Sequence, residues 1–152
     1  MATLRERLES YSRIGLDSSI FIYQFEAHPN YLPLSEQIFK QIEKKNLAGI
    51  TSTITLMELS VRPWQLGRED AAREYETLLI NFPNLTIVDI DREVARQAAK
   101  LRAAHLLRPA DALQVASCLV HQGEAFVTND RRLARVGKVL DLLILDDYLS
   151  AI

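Results

Sequence analysis

Residues 108–130 read RPADALQVASCLVHQGEAFVTND, a helical pattern followed by a strand pattern, and this stretch decides the fold class. Pro109 suits the first turn of a helix, because its fixed φ is helical and its missing N–H would have no partner there. Apolar residues then recur at helical spacing until Gly123, at Ala112, Val115, Ala116 and Leu119. The apolar run 125–127 ends in Thr128, Asn129 and Asp130. The stretch therefore predicts a helix that leads into a buried strand.

The same alternation of short apolar runs and helical patterns extends over the rest of the chain. Strands are predicted at residues 14–16, 48–51, 85–88, 125–127 and 139–145. Helices are predicted to start after Asp17, at 33–45, at 53–61 with Pro63 preventing continuation, at 69–80, at 91–104 and from Pro109. Short strands separated by helices indicate crossover connections. The predicted fold class is therefore α/β, with a mostly parallel sheet of about five strands covered on both faces.

Length and composition indicate one globular domain, residues 1–152, with 48% hydrophobic and 25% charged residues. Residues 1–13 contain no apolar signal region, and no run of about eighteen apolar residues occurs, so we expect neither export nor a membrane span. Cys118 is the only cysteine, which excludes a disulfide framework and fits a reducing compartment. A cytoplasmic location is expected. Trp64, the only tryptophan, is predicted to pack in the core, the alternative being an exposed anchor for a partner.

The balance of charge argues against a general attraction to nucleic acid. Eighteen Lys and Arg stand against 20 Asp and Glu, for a net charge of −2, so binding of a polyanion would need a local basic patch or metal ions. Basic residues do cluster around the segments considered below, at Arg108, Arg131, Arg132, Arg135 and Lys138. They are candidates for phosphate contacts. A solvated basic face is the alternative for any one of them.

Acidic side chains stand where ligands bind in open parallel sheets, just beyond the carboxyl ends of strands. Asp17 follows the first predicted strand, and Asp130 comes shortly after the fourth. If these strands are neighbours, the two carboxylates converge on one cleft. Asp111 lies in the first turn of the helix that leads to the fourth strand. Each of the three also has a purely structural explanation, as an N-cap, a first-turn acid or a turn residue.

Glu58 is the fourth candidate acid, and its neighbours in the sequence are apolar. It shares a predicted helix face with Ile54, Met57 and Val61, so we expect its carboxylate to be buried. A lone buried carboxylate is unfavourable unless it is paired or bound to a cation. Glu58 is therefore predicted to contact either a buried arginine or a metal ion.

Four carboxylates in one pocket would repel one another unless a divalent cation neutralised them. Carboxylate and water ligands suit Mg²⁺ or Mn²⁺, whereas zinc calls for His or Cys at a defined spacing. His28, His105 and His121 show no such spacing, and Cys118 lies among apolar residues of its helix. We therefore expect Mg²⁺ or Mn²⁺ in preference to zinc.

Four segments together resemble those of the PIN-domain ribonucleases, especially the toxins of VapBC-type toxin–antitoxin pairs. They are LDSSIFIYQF at 16–25, STITLMEL at 52–59, LLRPADALQVA at 106–116 and TNDRRL at 128–133. The resemblance extends over about residues 14–148, nearly the whole chain. The leading segment 1–13 departs from it, because many relatives begin almost directly with the first strand. This extension, with some helical character, has no role assigned by the sequence.

The resemblance implies a three-layer α/β/α fold and an acidic site for Mg²⁺ or Mn²⁺ at Asp17, Glu58, Asp111 and Asp130. In it, Asp17 and Asp111 would bind metal directly, Asp130 directly or through water, and Glu58 would complete the site. The implied activity is metal-dependent endoribonuclease hydrolysis of RNA. The resemblance also places a small polar side chain beside the site, which would be Ser18, Thr53 or Thr128. Together with Arg108 and Arg131 of the basic cluster, these are the candidate substrate contacts. The implied partners are RNA, a second copy of the chain and a small antitoxin.

Two other functions are weighed against this one. A catalytically silent PIN-like module that binds RNA or protein is the first, and the presence of all four acids argues against it. A phosphoryl-transfer domain is the second. A haloacid-dehalogenase site would need a second Asp two residues after Asp17, where Ser19 stands. A receiver site would need an acidic pair near the start and a later strand-end Lys, neither of which is evident.

Overall fold

The computed structural model describes residues 2–151. The α-helices are α1 (Leu4–Glu9), α2 (Ser18–Phe25), α3 (Leu32–Glu43), α4 (Thr53–Gln65), α5 (Glu69–Ile80), α6 (Arg92–His105) and α7 (Pro109–Val120). The strands are β1 (Arg13–Leu16), β2 (Ala48–Ser52), β3 (Leu85–Val88), β4 (Ala125–Thr128) and β5 (Asp141–Ile144). Arg131–Val136 and Leu145–Ala151 form 3₁₀ helices.

The five strands form one parallel sheet in the order β3-β2-β1-β4-β5. The first strand of the chain is therefore the central one, and it pairs with β2 on one side and β4 on the other. Ile14 lies opposite Gly49 of β2 and Ala125 of β4. This arrangement confirms the predicted α/β class, and it makes the strands before Asp17 and Asp130 direct neighbours.

Apolar side chains form two buried layers, one on each face of the sheet. One layer joins the sheet to α1, α2 and α3 and includes Leu8, Phe21 and Ile38. The other joins it to α6 and α7 and includes Val94 and Val115. Such burial on both faces is what a parallel sheet requires. The three-layer α/β/α fold is confirmed.

Helix α7 packs very closely on β1, because Gly15 has no side chain. A Cβ atom at Gly15 would lie 2.6 Å from Cys118 Sγ and 2.8 Å from Phe126 Cδ1. Cys118 is fully buried at this contact, and its burial raises the pKa of the thiol to about 12. The prediction that Cys118 is a core residue is confirmed.

Some element boundaries differ from the sequence prediction. Pro63 was predicted to stop its helix, but it lies inside α4, which continues to Gln65. A proline removes only the bond to the carbonyl four residues earlier, and its own φ is helical, so the last turn can continue beyond it. The fifth strand is shorter than predicted. The leading segment does contain a helix, α1, whose Leu4 and Leu8 are buried.

The prediction for Trp64 is wrong. Trp64 is 58% exposed, and Met57 and Val61 on the same helix are also exposed, by 52% and 48%. The buried side of α4 consists of Thr55, Leu59 and Pro63, spaced four residues apart. Trp64 falls outside that row and therefore points away from the core.

None of the helices within residues 2–151 combines the length and the apolar character needed to cross a bilayer.

Candidate active site

A cavity of about 290 Å³ opens beyond the carboxyl ends of β1 and β4. Four acids that are distant in sequence line it, namely Asp17, Glu58, Asp111 and Asp130. Each comes from a different part of the fold: the end of β1, the middle of α4, the first turn of α7 and the segment after β4. The structure therefore places all four predicted acids around one cavity.

Asp17 acts as N-cap of α2 and also faces this cavity. Its Oδ1 accepts a hydrogen bond from the Ser18 backbone N–H at 2.9 Å, and its Oδ2 accepts one from Thr128 Oγ1 at 2.7 Å. Burial, with the nearby charges of Asp111 and Glu58 adding to it, raises the pKa of Asp17 to about 6 despite these hydrogen bonds. The carboxylate thus lies in surroundings that disfavour its negative charge, and a cation would compensate for them.

Glu58 was predicted to be buried, and this is wrong, because its side chain is exposed. The predicted face was wrong as well: Met57 and Val61, which were expected to surround it, are themselves about half exposed. Glu58 instead lies at the rim of the cavity, where its Oε1 accepts a hydrogen bond of 2.7 Å from Ser18 Oγ. Ser18 thereby links the helix capped by Asp17 to the helix that carries Glu58.

Two arginines hold the other two acids. Arg108 donates from Nε to Asp111 Oδ2 at 2.9 Å and from Nη2 to Asp130 Oδ2 at 3.3 Å. Arg132 forms a further bridge to Asp130 Oδ2 at 2.8 Å. Hydrogen bonding by Arg132 lowers the pKa of Asp130 below its usual value, with burial opposing this effect. Asp111 and Asp130 are therefore already compensated by positive charge, unlike Asp17.

The predicted substrate contacts separate into two groups. Ser18, Thr128 and Arg108 contact the acids directly. Thr53 begins α4 but does not line the cavity. Arg131 does not line it either, since its guanidinium contacts Asp147 at 2.5 Å.

The donor set of the cavity suits a hard divalent cation. It offers carboxylate oxygens and hydroxyls, the ligands that Mg²⁺ and Mn²⁺ prefer. Ser19 Oγ is buried in the cavity wall and finds no hydrogen-bond partner in the described part of the chain, so it is available to a ligand. In their present positions, however, no three His, Cys, Asp or Glu side chains of residues 2–151 are grouped closely enough to hold an ion.

A buried polar network, which the sequence analysis did not identify, connects the elements that carry the acids. Thr51 Oγ1 donates to the Leu16 carbonyl at 3.0 Å and lies 2.7 Å from Thr55 Oγ1. Gln114 of α7 donates from Nε2 to Thr55 Oγ1 at 2.8 Å and accepts from Ser52 Oγ at 2.7 Å. Two features of the sequence indicate this network. Gln114 lies among the apolar positions of its helix, and hydroxyl residues are concentrated at 51–55.

Asn129 and Tyr23 also line the cavity and were missed. Asn129 Nδ2 donates to the Tyr23 hydroxyl at 3.0 Å, and its Oδ1 accepts from the Asp146 backbone N–H at 2.8 Å. Asn129 stands between two residues that were singled out, Thr128 and Asp130. Its polar side chain, directly after the end of a buried strand, was the feature of the sequence that could have identified Asn129.

Comparisons with known proteins agree with this fold. A sequence model of the PIN domain family matches residues 14–139. Comparison with curated protein sequences gives no significant match.

Solved structures share the fold at low sequence identity. A toxin–antitoxin complex from Klebsiella pneumoniae contains a chain with 19% identity and a TM-score of 0.62, covering 87% of this chain and 97% of that one. VapBC2 from Rickettsia felis, bound to a promoter DNA fragment, gives 19% identity, a TM-score of 0.65 and coverage of 86% and 97%. FitAcB from Neisseria gonorrhoeae has 17% identity and a TM-score of 0.63, and the match covers 86% of this chain and 96% of that one.

Proposed function

Because the chain belongs to the PIN domain family, we propose that it is a Mg²⁺- or Mn²⁺-dependent endoribonuclease that hydrolyses RNA phosphodiester bonds. One observation carries the proposal: four acids from four separate elements line a single cavity at the carboxyl edge of the sheet. The raised pKa of Asp17 supports it, because burial, reinforced by the charges of Asp111 and Glu58, disfavours the bare carboxylate, and a bound cation would compensate for this.

Each residue of the cavity has a role in this proposal. Asp17 and Asp111 would hold the metal directly, Asp130 directly or through water, and Glu58 would complete the site or orient water. When bound, the ion would lower the pKa of a water ligand and offset charge on the leaving oxygen. Thr128 and the Ser18 backbone N–H fix the orientation of the Asp17 carboxylate.

Metal binding by all four acids requires a change on the side of Asp111 and Asp130. Arg108 contacts both carboxylates, and Arg132 contacts Asp130. These contacts would have to be exchanged for contacts to the ion. The side chain of Arg108 is 61% exposed, so it has room to turn toward a substrate phosphate.

Replacement of Asp17 or Asp111 by Asn tests the mechanism. Each variant is expected to lose metal-dependent cleavage of single-stranded and structured RNAs, because the amide is a weaker metal ligand than the carboxylate. Gel assays with Mg²⁺, Mn²⁺ or EDTA measure this. Asp70→Asn is a matched control, since Asp70 is an exposed acid of α5 paired with Arg68. Full activity of Asp17→Asn or Asp111→Asn would exclude the mechanism.

A catalytically silent PIN-like module is the second candidate, and one observation favours it. Asp111 and Asp130 are neutralised by arginines, and the acids as placed do not form a ready-made metal cluster in residues 2–151. Direct titration of the protein with Mn²⁺, monitored by electron paramagnetic resonance, distinguishes the nuclease from the silent module. Binding that is lost in Asp17→Asn supports the nuclease, and absence of binding supports the silent module.

The proposed partners are a second copy of the chain and a small antitoxin. The similar structure from Klebsiella pneumoniae is a toxin–antitoxin complex, which supports a toxin role here. An inhibitory segment of the antitoxin would be expected to reach the acidic cavity. The exposed apolar side chains Met57, Val61 and Trp64 of α4 offer a surface for the second copy.

A further inference from the structure

A second cavity, of about 190 Å³, adjoins the acidic one. Arg108 and Asp111 line both cavities, so the two share a wall. The remaining lining includes the side chains of Arg132 and Arg135 and the leucines of the loop between α6 and α7. Three arginines and a single acid, Asp111, thus line this cavity.

The charges of this second cavity are not balanced within it. Arg108 and Arg132 contact Asp111 and Asp130, each of which also faces the acidic cavity. Arg135 donates from Nη1 to the Leu106 carbonyl at 3.3 Å, and no carboxylate within residues 2–151 forms an ion pair with it. Arg135 therefore keeps its positive charge and several N–H donors available for a ligand.

The loop that forms one wall is held in a strained conformation. Leu106 has a φ of +54° and a side chain that is 80% exposed, and both features are unfavourable for leucine. Arginines hold the two loop carbonyls: Arg102 Nε donates to Leu107 O at 3.0 Å, and Arg135 donates to Leu106 O. The loop is thus fixed in the geometry that places Arg108 between the two cavities.

We propose that Arg108, Arg132 and Arg135 form a binding subsite for a backbone phosphate of single-stranded RNA, next to the position of cleavage. Guanidinium groups bind phosphate with two parallel hydrogen bonds, which gives both affinity and orientation. The subsite is narrower than the basic cluster expected from the sequence, because Arg131 turns away to Asp147 and neither Arg131 nor Lys138 lines this cavity. The inference rests on the proposed nuclease function, since it names the group of the substrate that is held.

Metal-free binding of RNA tests the subsite separately from cleavage. A short fluorescein-labelled single-stranded RNA is titrated with the full chain in EDTA over a series of KCl concentrations, and fluorescence anisotropy is recorded. Arg135→Gln is expected to weaken binding several-fold at low salt and to reduce the slope of log K against log[salt] by about 0.7, the value for one phosphate contact on a single strand. Arg135 is exposed, so the substitution leaves the core untouched.

Arg96→Gln is the matched control. Arg96 is exposed on α6 and lines neither cavity, so this variant is expected to keep the affinity and salt slope of the wild type. An equal loss in Arg96→Gln and Arg135→Gln would show a general charge effect and overturn the subsite. The subsite would also be overturned if Arg135→Gln bound RNA as tightly as the wild type, or if the wild type did not bind RNA.

Two further arms identify the ligand and separate this inference from the proposed nuclease. Inorganic phosphate should displace the labelled RNA only at high concentration. If free phosphate binds in the cavity while RNA affinity is independent of Arg135, the assignment to the RNA backbone is wrong. In cleavage assays Arg135→Gln should raise KM and leave kcat near the wild-type value. If no RNA is cleaved yet metal-free binding depends on Arg135, the nuclease proposal fails and the subsite stands.

Discussion

Asp17 both caps a helix and faces the acidic cavity, although a structural and a chemical role were treated as alternatives from the sequence. One carboxylate oxygen caps α2, and the other accepts a hydrogen bond from Thr128 across the β1–β4 pair. The cap places the carboxylate at the strand end, where Asp111 and Glu58 also contribute negative charge. A structural explanation for a strand-end acid therefore does not exclude a chemical one.

Asp17→Asn is expected to stabilise the metal-free protein at neutral pH. The folded-state pKa is about 6 against a usual 3.8, so the folded protein binds this proton more tightly than the unfolded chain. The destabilising effect is therefore present above about pH 6 and disappears as the pH falls below about 4. Each pKa unit corresponds to about 1.4 kcal/mol, and weaker capping and Thr128 contacts reduce the net gain to about 1 kcal/mol.

Urea unfolding in EDTA at about pH 7.5 and about pH 4.5 measures this difference. Asp17→Asn should be more stable than the wild type at the higher pH and no more stable than it at the lower one, where most of the destabilising effect of the carboxylate is gone. Asp70→Asn serves as control, because Arg68 lowers the pKa of exposed Asp70 and no gain at neutral pH is expected. An advantage of Asp17→Asn that is the same at both pH values would contradict the explanation.

At the scale of elements, the buried polar network orients the helices around the cavity. It connects β1 just before Asp17, the start of α4 that carries Glu58, and α7 that carries Asp111. Hydrogen bonds are directional, whereas apolar contacts let helices slide. The network therefore fixes three of the four acids relative to one another without contacting them.

Gln114→Leu is expected to lower the free energy of unfolding by about 1–3 kcal/mol, because it leaves buried hydroxyls of Ser52 and Thr55 without their partner. Chemical denaturation measures the loss. Gln97→Leu provides the control: Gln97 is only partly buried on α6, and a change within about 0.5 kcal/mol is expected. Wild-type stability of Gln114→Leu would show that the network contributes nothing.

The elements were largely predictable because their apolar spacing reflects burial on a sheet. The parallel direction of the strands followed from the same pattern, whereas the proximity of Asp17 to Asp130 depended on β1 and β4 being neighbours, which the pattern left open. The errors at Glu58 and Trp64 share one cause. The α4 segment has apolar residues on more than one side, so periodicity could not show that Thr55 and Leu59 are its buried face while Glu58 and Trp64 are exposed. Arginine contacts within the site depend on side-chain directions, which spacing does not encode.

At the scale of the molecule, α4 exposes an apolar stripe of Met57, Val61 and Trp64. These positions recur at helical spacing and therefore share a side of the helix. Large exposed apolar side chains that are grouped in this way are typical of interaction surfaces. A twofold symmetric contact with a second copy is the commonest arrangement that would cover them.

Trp64→Glu is expected to convert a wild-type dimer to a monomer while leaving the fold intact, because the substitution places charge in the apolar contact but removes no core side chain. Size-exclusion chromatography with light scattering measures the mass. Val139→Glu, at a residue 44% exposed and outside α4, should remain dimeric. A wild type that is monomeric at all concentrations, or a dimeric Trp64→Glu, would rule out this surface as the dimer contact.

The order of the strands ties formation of the cavity to nearly complete synthesis of the chain. The hydrogen bond from Thr128 to Asp17 spans 111 residues of sequence. The central strand β1 pairs with β4, which is synthesised much later. A polypeptide interrupted before β4 lacks both Asp130 and the hydroxyl that orients the first acid. Premature termination therefore yields fragments without an assembled cleft.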